Sequence, residues 1–151
     1  MRTSAFFDDP ERAETAGFLA SLFEDELTTV LQHMEARRYA DGELAIRAGE
    51  RDRSIHVVTE GQFQVMLPGD PSRRPVLERG AMFGELAFFD GLPRSADVRA
   101  VGAGEAYIMT QAGFERLRLT HPRLAMAFVL DLGRVLSVRF REHDRRLAER
   151  G

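Results

Sequence analysis

Short apolar runs separated by glycine and proline dominate the middle of this chain and constrain its fold more than any other feature. Between residues 37 and 110 these runs partly alternate between apolar and polar positions. Turn signals separate them, at Asp41-Gly42, Gly49, Glu60-Gly61, Pro68-Gly69-Asp70-Pro71 and Gly102-Ala103-Gly104. Short strands punctuated in this way are typical of an antiparallel roll or sandwich. We expect further strands of the same body at 75–78 and 105–110.

Helical patterns flank this middle region. From Pro10 to Met34 the apolar residues fall mostly three or four positions apart, which predicts an amphipathic helical segment. After residue 110 a short helix should end near His121, because proline disfavours helix at the residue before it. Pro122 can open the next helix, which is predicted to run to about Ala148.

One apolar stripe runs along this last helix. It comprises Ala125, Val129, Leu132, Leu136, Phe140 and Leu147, and Leu124, Phe128 and Val135 widen it in the first half. The stripe narrows beyond Phe140, as in a helix that packs first on its own domain and then on a partner helix.

Composition excludes several classes of site. The chain has 151 residues, a formal net charge of −3 and no cysteine, and all 21 basic residues are arginine. Disulfides, iron–sulfur clusters and thiol catalysis are therefore excluded, as are the lysine-dependent P-loop and Schiff-base chemistry. The slightly acidic charge balance is not typical of a free-standing nucleic-acid binder.

No apolar run approaches the ~20 residues that cross a bilayer and no leader is visible, so we expect a cytoplasmic location and no membrane segment.

Two residue types are interpreted as structural. The four histidines lack the spacing of a metal site and are expected at surface or boundary positions: His33, His56, His121 and His143. Phe83, Phe88 and Phe89 are expected in the core rather than against a ligand.

The segment 83–100 breaks the strand pattern and carries candidate chemistry. Gly84 allows close approach of a ligand to the backbone. Glu85 to Phe89 can form one helical turn whose first amides bind an anion. Arg94 offers a planar cation that suits a phosphate oxygen, and Ser95 adds a hydroxyl donor. A carboxylate at Glu85 suits a sugar hydroxyl, so together these groups fit a 3′,5′-cyclic nucleotide.

Blander interpretations of these residues stay open at the level of sequence. Glu85 could serve only to stabilise the start of a helix through its dipole. Arg94 could be a surface residue paired with Asp90 or Asp97.

The same segment closely resembles the phosphate-binding cassette of cyclic nucleotide-binding domains. This is the family of the bacterial catabolite activator protein, protein kinase A regulatory subunits and cyclic nucleotide-gated channels. The resemblance rests on Phe83-Gly84-Glu85-Leu86-Ala87, Pro93-Arg94-Ser95-Ala96 and Val98-Arg99-Ala100. It implies an α+β fold, an antiparallel, jelly-roll-like β-roll with N-terminal helices, a short cassette helix and two C-terminal helices. The implied single domain spans 1–151, with helices at 10–35, the β-roll at 36–110, the cassette at 83–100 and the C-terminal helices at 111–148.

The resemblance also implies a role for each site residue. Glu85 would accept the ribose 2′-OH, and Arg94 would pair with an exocyclic phosphate oxygen. Gly84 would leave room for the sugar. Ser95 and the backbone N–H groups of Leu86 and Ala87 would complete the phosphate shell, with Ala96 beside them. In the family the last helix folds over the base, which places the expected lid contacts at Arg139 and Phe140. Serine at position 95 favours cAMP over cGMP.

The function expected from this resemblance is that of a regulatory, non-enzymatic sensor. It would bind cAMP or cGMP, need no other cofactor and no metal, and pass occupancy through its C-terminal helices to an effector protein or fused domain. The last helix could also form a homodimer.

The DNA-binding members continue into a helix-turn-helix domain, which this sequence lacks. The alternative is a domain that has lost ligand binding and serves as a dimerisation or protein-interaction scaffold. A cupin-like metal hydrolase fits less well, because neither a metal triad nor a nucleophile–base pair is visible.

Overall fold

The computed structural model describes Leu19, residues 22–70, Ser72 and residues 74–150. Its helices are α1 (Glu24–Gln32), α2 (Glu85–Asp90), α3 (Gln111–Thr120) and α4 (Pro122–Arg150). Its strands are β1 (Glu35–Tyr39), β2 (Leu44–Ile46), β3 (Ile55–Met66), β4 (Val76–Leu77), β5 (Met82–Phe83) and β6 (Asp97–Met109). Of the helical segment expected over 10–35, Leu19 and residues 22–35 are described. The helix within this part begins at Glu24, where the N–H of Phe23 donates to the Glu26 carboxylate over 3.0 Å, and it ends at Gln32, before β1.

The strands form one antiparallel sheet. Its order is β1-β6-β3-β4, with β2 paired to β6 and β5 paired to β3. The two long strands β3 and β6 pair along most of their length, from Ile55 opposite Met109 to Met66 opposite Asp97. The expected antiparallel roll with short cassette and C-terminal helices is therefore confirmed.

Two of the predicted turns are wrong, because Glu60-Gly61 lies inside β3 and Gly102-Ala103-Gly104 lies inside β6. Gly61 has a φ of +75°, and the pairing of β3 with β6 shifts register on both sides of Glu60. A glycine in this conformation adds a bulge, which bends a strand without ending it. A Cβ at Gly61 would lie 2.5 Å from the carbonyl oxygen of Ala103, so β3 and β6 approach each other too closely here for any side chain. The strand expected from residue 105 consequently begins at Asp97.

The core has two parts. One fills the β-roll and includes Tyr39, Phe63, Phe83 and Val98. The other lies between the sheet and the helices and includes Val30, Met109, Leu117, Phe128 and Leu132. β5 lies at the boundary between these parts, since Met82 belongs to the helical core and Phe83 to the core of the roll.

The apolar stripe predicted on the long helix α4 is confirmed over the first half of the helix. Five of its apolar residues are buried there: Leu124, Ala125, Phe128, Leu132 and Val135. Phe140 and Leu147 were expected on the same stripe but are 65% and 54% exposed. The reason is geometric, since side chains from residue 140 onward lie beyond the body of the domain and are all exposed as far as 149. Within the described ranges, every helix is too short or too polar to cross a bilayer.

Candidate functional site

A cavity of about 390 Å³ opens between the β-roll and α2. Its lining includes eight of the predicted site residues: Gly84, Glu85, Leu86, Ala87, Arg94, Ser95, Ala96 and Arg139. Phe140, the second predicted lid residue, does not line it and faces solvent. The fold thus gathers the cassette and one side chain of α4 around a common space.

Arg94 is buried at the wall of this cavity and is held by hydrogen bonds to three residues. Its Nη1 donates to the carbonyl oxygen of Gly84 over 2.7 Å. Its Nη2 donates to the carbonyl oxygen of Ser54 over 2.7 Å and to Asp52 Oδ2 over 2.9 Å. Its Nε is buried and has no hydrogen-bond partner among the described residues. A buried donor without a partner calls for an acceptor from outside the chain.

The counter-charge of Arg94 is Asp52, which the sequence did not reveal. The pairings considered from the sequence are wrong, because Asp97 accepts from the N–H of Ala48 and Asp90 from the N–H of Leu92. Burial acts to raise the pKa of Asp52, but hydrogen bonds from Ser54 and Arg94 outweigh it and hold the pKa below its ordinary value. Asp52 therefore faces Arg94 as a carboxylate at neutral pH.

A local signal for Asp52 existed in the sequence. Both the N–H and the hydroxyl of Ser54 donate to the Asp52 carboxylate, over 3.3 and 2.6 Å. This Asp-x-Ser turn marks the entry to a strand. It does not say that the strand leads to Arg94, which lies 42 positions along the chain.

Gly84 is required by the position of Arg94. Its φ of +81° is in the left-handed region. A Cβ there would lie 2.7 Å from Arg94 Nη1, 3.0 Å from the carbonyl oxygen of Ser54 and 3.1 Å from Ile46 Cδ1. The space that a side chain would fill is already occupied by the guanidinium. That Gly84 also leaves room for a sugar stays a prediction.

Glu85 and Arg139 meet across the mouth of the cavity. Arg139 Nη1 donates to Glu85 Oε1 over 3.1 Å, and Arg139 Nη2 donates to the carbonyl oxygen of Met82 over 2.8 Å. The Glu85 side chain is only 14% exposed. The sequence predicted that Arg139 contacts a base, whereas the structure places its guanidinium on the carboxylate expected to bind the sugar. This pair ties α4 directly to the start of α2.

The remaining wall of the cavity is apolar. Val65, Leu67 and Leu77 line it on the side of the roll. Leu86 and Leu92 lie at its rim and are largely exposed, and Ser95 is exposed beside them. A buried cation, a carboxylate and an apolar wall around one space suit a small anion that also carries a hydroxyl group and a flat apolar part.

His56 lies in the core beside this site, so the expectation of four surface or boundary histidines is wrong for this one. It faces Phe83 across the β3–β5 pair and stacks on it, with ring centroids 4.7 Å apart. Burial, with Arg94 nearby, lowers the pKa of His56 to about 4. The imidazole is therefore neutral at pH 7. Phe83 and Phe88 are buried as expected, but Phe89 is exposed.

Metal ligation is not visible in the described part of the chain, which holds no group of three His, Asp or Glu side chains placed to bind an ion.

Comparison with known proteins gives one family and several relatives. The family model for the cyclic nucleotide-binding domain matches residues 36–121, which is more than half of the chain. A putative potassium channel protein of Rhodopseudomonas palustris is 31% identical over 101 residues, covering 66% of this chain and 24% of the channel. The cAMP-dependent protein kinase regulatory subunit of Mycosarcoma maydis is 33% identical over 99 residues, covering 61% of this chain and 19% of the subunit. The chain thus spans about a quarter or less of these relatives.

A solved structure supports the fold independently. The cyclic nucleotide-binding domain from Methylobacillus flagellatus superposes with a TM-score of 0.80 over 98% of this chain and 85% of that one, at 19% identity. At this identity the similarity shows that the architecture is shared.

Proposed function

Because the chain belongs to the cyclic nucleotide-binding domain family, we propose that its cavity binds a 3′,5′-cyclic nucleotide, cAMP in preference to cGMP, and that occupancy is passed on through α3 and α4. The observation that carries this proposal is the state of Arg94. It is a buried cation on the cavity wall whose Nε–H has no acceptor among the described residues. A cyclic phosphate is a monoanion, so one of its exocyclic oxygens supplies both the missing acceptor and the opposite charge.

We assign recognition of the ribose of the nucleotide to Glu85. Its Oε1 is engaged by Arg139, whereas its Oε2 accepts no hydrogen bond from the described residues. A ribose 2′-OH can donate to Oε2 without competing with Arg139 for the same oxygen. The preference for cAMP rests on Ser95 alone, which lies at the cavity rim.

The transmission of nucleotide occupancy from the cavity to α4 begins at Arg139. This side chain belongs to α4, yet its two polar contacts are on the cavity wall, at Glu85 and Met82. A nucleotide that draws Glu85 toward the sugar changes the hold on α4, and such differential contact is what couples a ligand to a conformational change. The receiver of this change is an effector protein or fused domain, which the described residues do not identify.

Domains of this family are regulatory and non-catalytic. We therefore propose that this chain catalyses no reaction and needs no cofactor or metal besides the nucleotide. A cytoplasmic location belongs to the same proposal, since a sensor of this kind has to meet a nucleotide made inside the cell.

Calorimetric titration tests the proposal. Purified protein, shown to be folded and free of carried-over ligand, is titrated with cAMP and then with cGMP. We expect micromolar or tighter binding of cAMP, weakened at least about tenfold by Arg94→Ala, since one charge-assisted contact is worth roughly that factor. Arg38→Ala is the matched control, because Arg38 lies on β1 outside the cassette and the cavity lining and bonds Glu60 and Glu105. Absence of heat with both nucleotides would overturn the proposal.

A second candidate function, a dimerisation or interaction scaffold, is favoured by the outer face of α4. Exposed apolar residues there are Met126, Leu130, Phe140 and Leu147. They occupy four of seven positions spaced alternately by four and three, as in a coiled-coil seam, at 126, 130, 133, 137, 140, 144 and 147. The other three positions hold Gly133, Ser137 and Asp144. A homodimer would pair this face with that of a second copy. Light scattering on a size-exclusion column, with and without cAMP, distinguishes the two candidates. A dimer that Leu130→Glu dissociates, in a protein that binds no nucleotide, supports the scaffold.

A further inference from the structure

The C-terminal end of α2 is held by side chains from two other parts of the chain. Arg53, in the loop before β3, donates from Nε to the carbonyl oxygen of Ala87 over 3.2 Å and from Nη2 to that of Phe88 over 3.1 Å. Gln111, the first residue of α3, donates to the same Phe88 oxygen over 3.2 Å. Gln111 also donates to the carbonyl oxygen of Arg53 over 3.3 Å. Arg53, Gln111 and the Phe88 carbonyl thus form a closed set of contacts, which we name the α2 bracket.

The neighbours of Arg53 connect the α2 bracket to the cavity. Asp52 and Ser54 both accept hydrogen bonds from Arg94. The guanidinium of Arg53 instead lies against Gly91, where a Cβ would come within 3.3 Å of its Cζ. Of these three consecutive residues, Asp52 and Ser54 therefore hold Arg94, and Arg53 holds the end of α2.

The side chain of Phe88 connects the α2 bracket to the helical core. Its ring lies edge-on to Phe114 of α3, with centroids 5.4 Å apart, and 6.2 Å from Phe128 of α4. Phe114 and Phe128 are themselves 5.8 Å apart. One residue thus places its carbonyl in the α2 bracket and its ring among the two C-terminal helices.

We propose that Arg53 is a positioning residue that, through Gln111 and the Phe88 carbonyl, makes α2 and the start of α3 move as one unit, so that a change at the cavity is transmitted to α3. The inference rests on the proposed function and deepens it by naming the contact that carries the signal. Two side-chain donors on one carbonyl fix the far end of a six-residue helix. Without them, α2 can tilt at the cavity while its far end shifts relative to α3, because ring packing constrains position less tightly than two hydrogen bonds to one carbonyl do.

The first test needs no nucleotide. Hydrogen exchange is measured at the N–H of Gly91, which bonds Ala87, and at the N–H of Phe114, which bonds Thr110. In Arg53→Met both amides should exchange about fivefold faster, the factor that corresponds to roughly one lost hydrogen bond. The N–H of Val58, which bonds Ala81 within the roll, should not change. Arg51→Met is the matched control, an exposed arginine of the same loop.

A second variant keeps the test informative if Arg53→Met is generally unstable. Gln111→Leu removes the other donor to the same carbonyl, so the double variant should speed exchange at Gly91 and Phe114 no more than the stronger single variant does. Additive effects of the two substitutions, or faster exchange at Gly91 with none at Phe114, would overturn the proposal. Faster exchange at Val58 in step with the other two amides, in Arg53→Met and in Gln111→Leu alike, would also overturn it, because it would mark a general loss of stability.

The second test adds cAMP. In the wild type, binding should slow exchange in both α2 and α3, whereas in Arg53→Met it should slow exchange in α2 alone, with the calorimetric affinity within about threefold of wild type. An α3 response equal to that of the wild type refutes the transmitting role. If the wild type binds neither cAMP nor cGMP, the proposed function fails, and the nucleotide-free test still decides whether Arg53 links α2 to α3.

Discussion

Substituting alanine for Gly84 tests whether the glycine is there for the backbone alone or for Arg94 as well. The left-handed conformation at Gly84, with a φ of +81°, costs a residue with a Cβ about 1 kcal/mol. The Cβ would also lie 2.7 Å from Arg94 Nη1 and 3.0 Å from the carbonyl oxygen of Ser54. The contact with Nη1 is closer than a Cβ tolerates, and the Ser54 carbonyl on the other side is main chain that cannot swing aside to make room, so the Arg94 guanidinium has to move away.

The size of the stability loss follows from the hydrogen bonds that Arg94 loses when it moves. Its Nη1 donates to the Gly84 carbonyl and its Nη2 to that of Ser54, each over 2.7 Å. Losing one such bond to a buried charged group costs about 1.5–3 kcal/mol. Adding the backbone cost, we expect Gly84→Ala to lower the free energy of unfolding by about 2.5–4 kcal/mol.

The assay is urea unfolding followed by circular dichroism, with Gly42→Ala as the matched control. Gly42 has nearly the same φ, +79°, but an added Cβ there meets nothing within 4 Å. The control should therefore lose only the backbone cost of about 1 kcal/mol. If Gly84→Ala loses no more than Gly42→Ala does, the argument that Arg94 fills the space of the missing side chain is refuted.

Three further predictions follow from single contacts. Gly113→Ala should destabilise the fold, because its Cβ would collide with the carbonyl oxygen of His33, whereas Gly133→Ala on α4 has open space and should gain about 0.5–1 kcal/mol in the same unfolding assay. Burial lowers the pKa of His56 to about 4, so between about pH 6.5 and pH 4 the unfolded chain binds the extra proton and stability falls as the pH falls. His56→Phe should flatten the unfolding free energy across that window by about 3 kcal/mol, and an unchanged profile would contradict the assignment. Glu85→Gln should weaken cAMP about tenfold while leaving 2′-deoxy-cAMP unchanged, and equal losses for both nucleotides in calorimetry would remove Glu85 from the sugar contact.

Periodicity located most of the elements, and the cassette motif located seven of the residues that line the cavity. The change from strand-like runs to helical spacing marked α3 and α4, and Gly84, Glu85 and Arg94 lie close together in one short cassette. Such features depend on residues close together in the chain, and these are what a sequence pattern records.

Contacts between distant segments were decided by the tertiary structure. Asp52 meets Arg94 across 42 positions and Arg139 meets Glu85 across 54, and neither pair leaves a local pattern. The glycine at Gly61 has the sequence signature of a turn, and only the pairing with β6 makes it a bulge. Likewise Phe140 continues the apolar spacing of α4 but lies past the end of the domain. The chain alone fixes which residues can form each element, whereas strand register and helix docking decide which side chains meet, because those depend on the whole packed body.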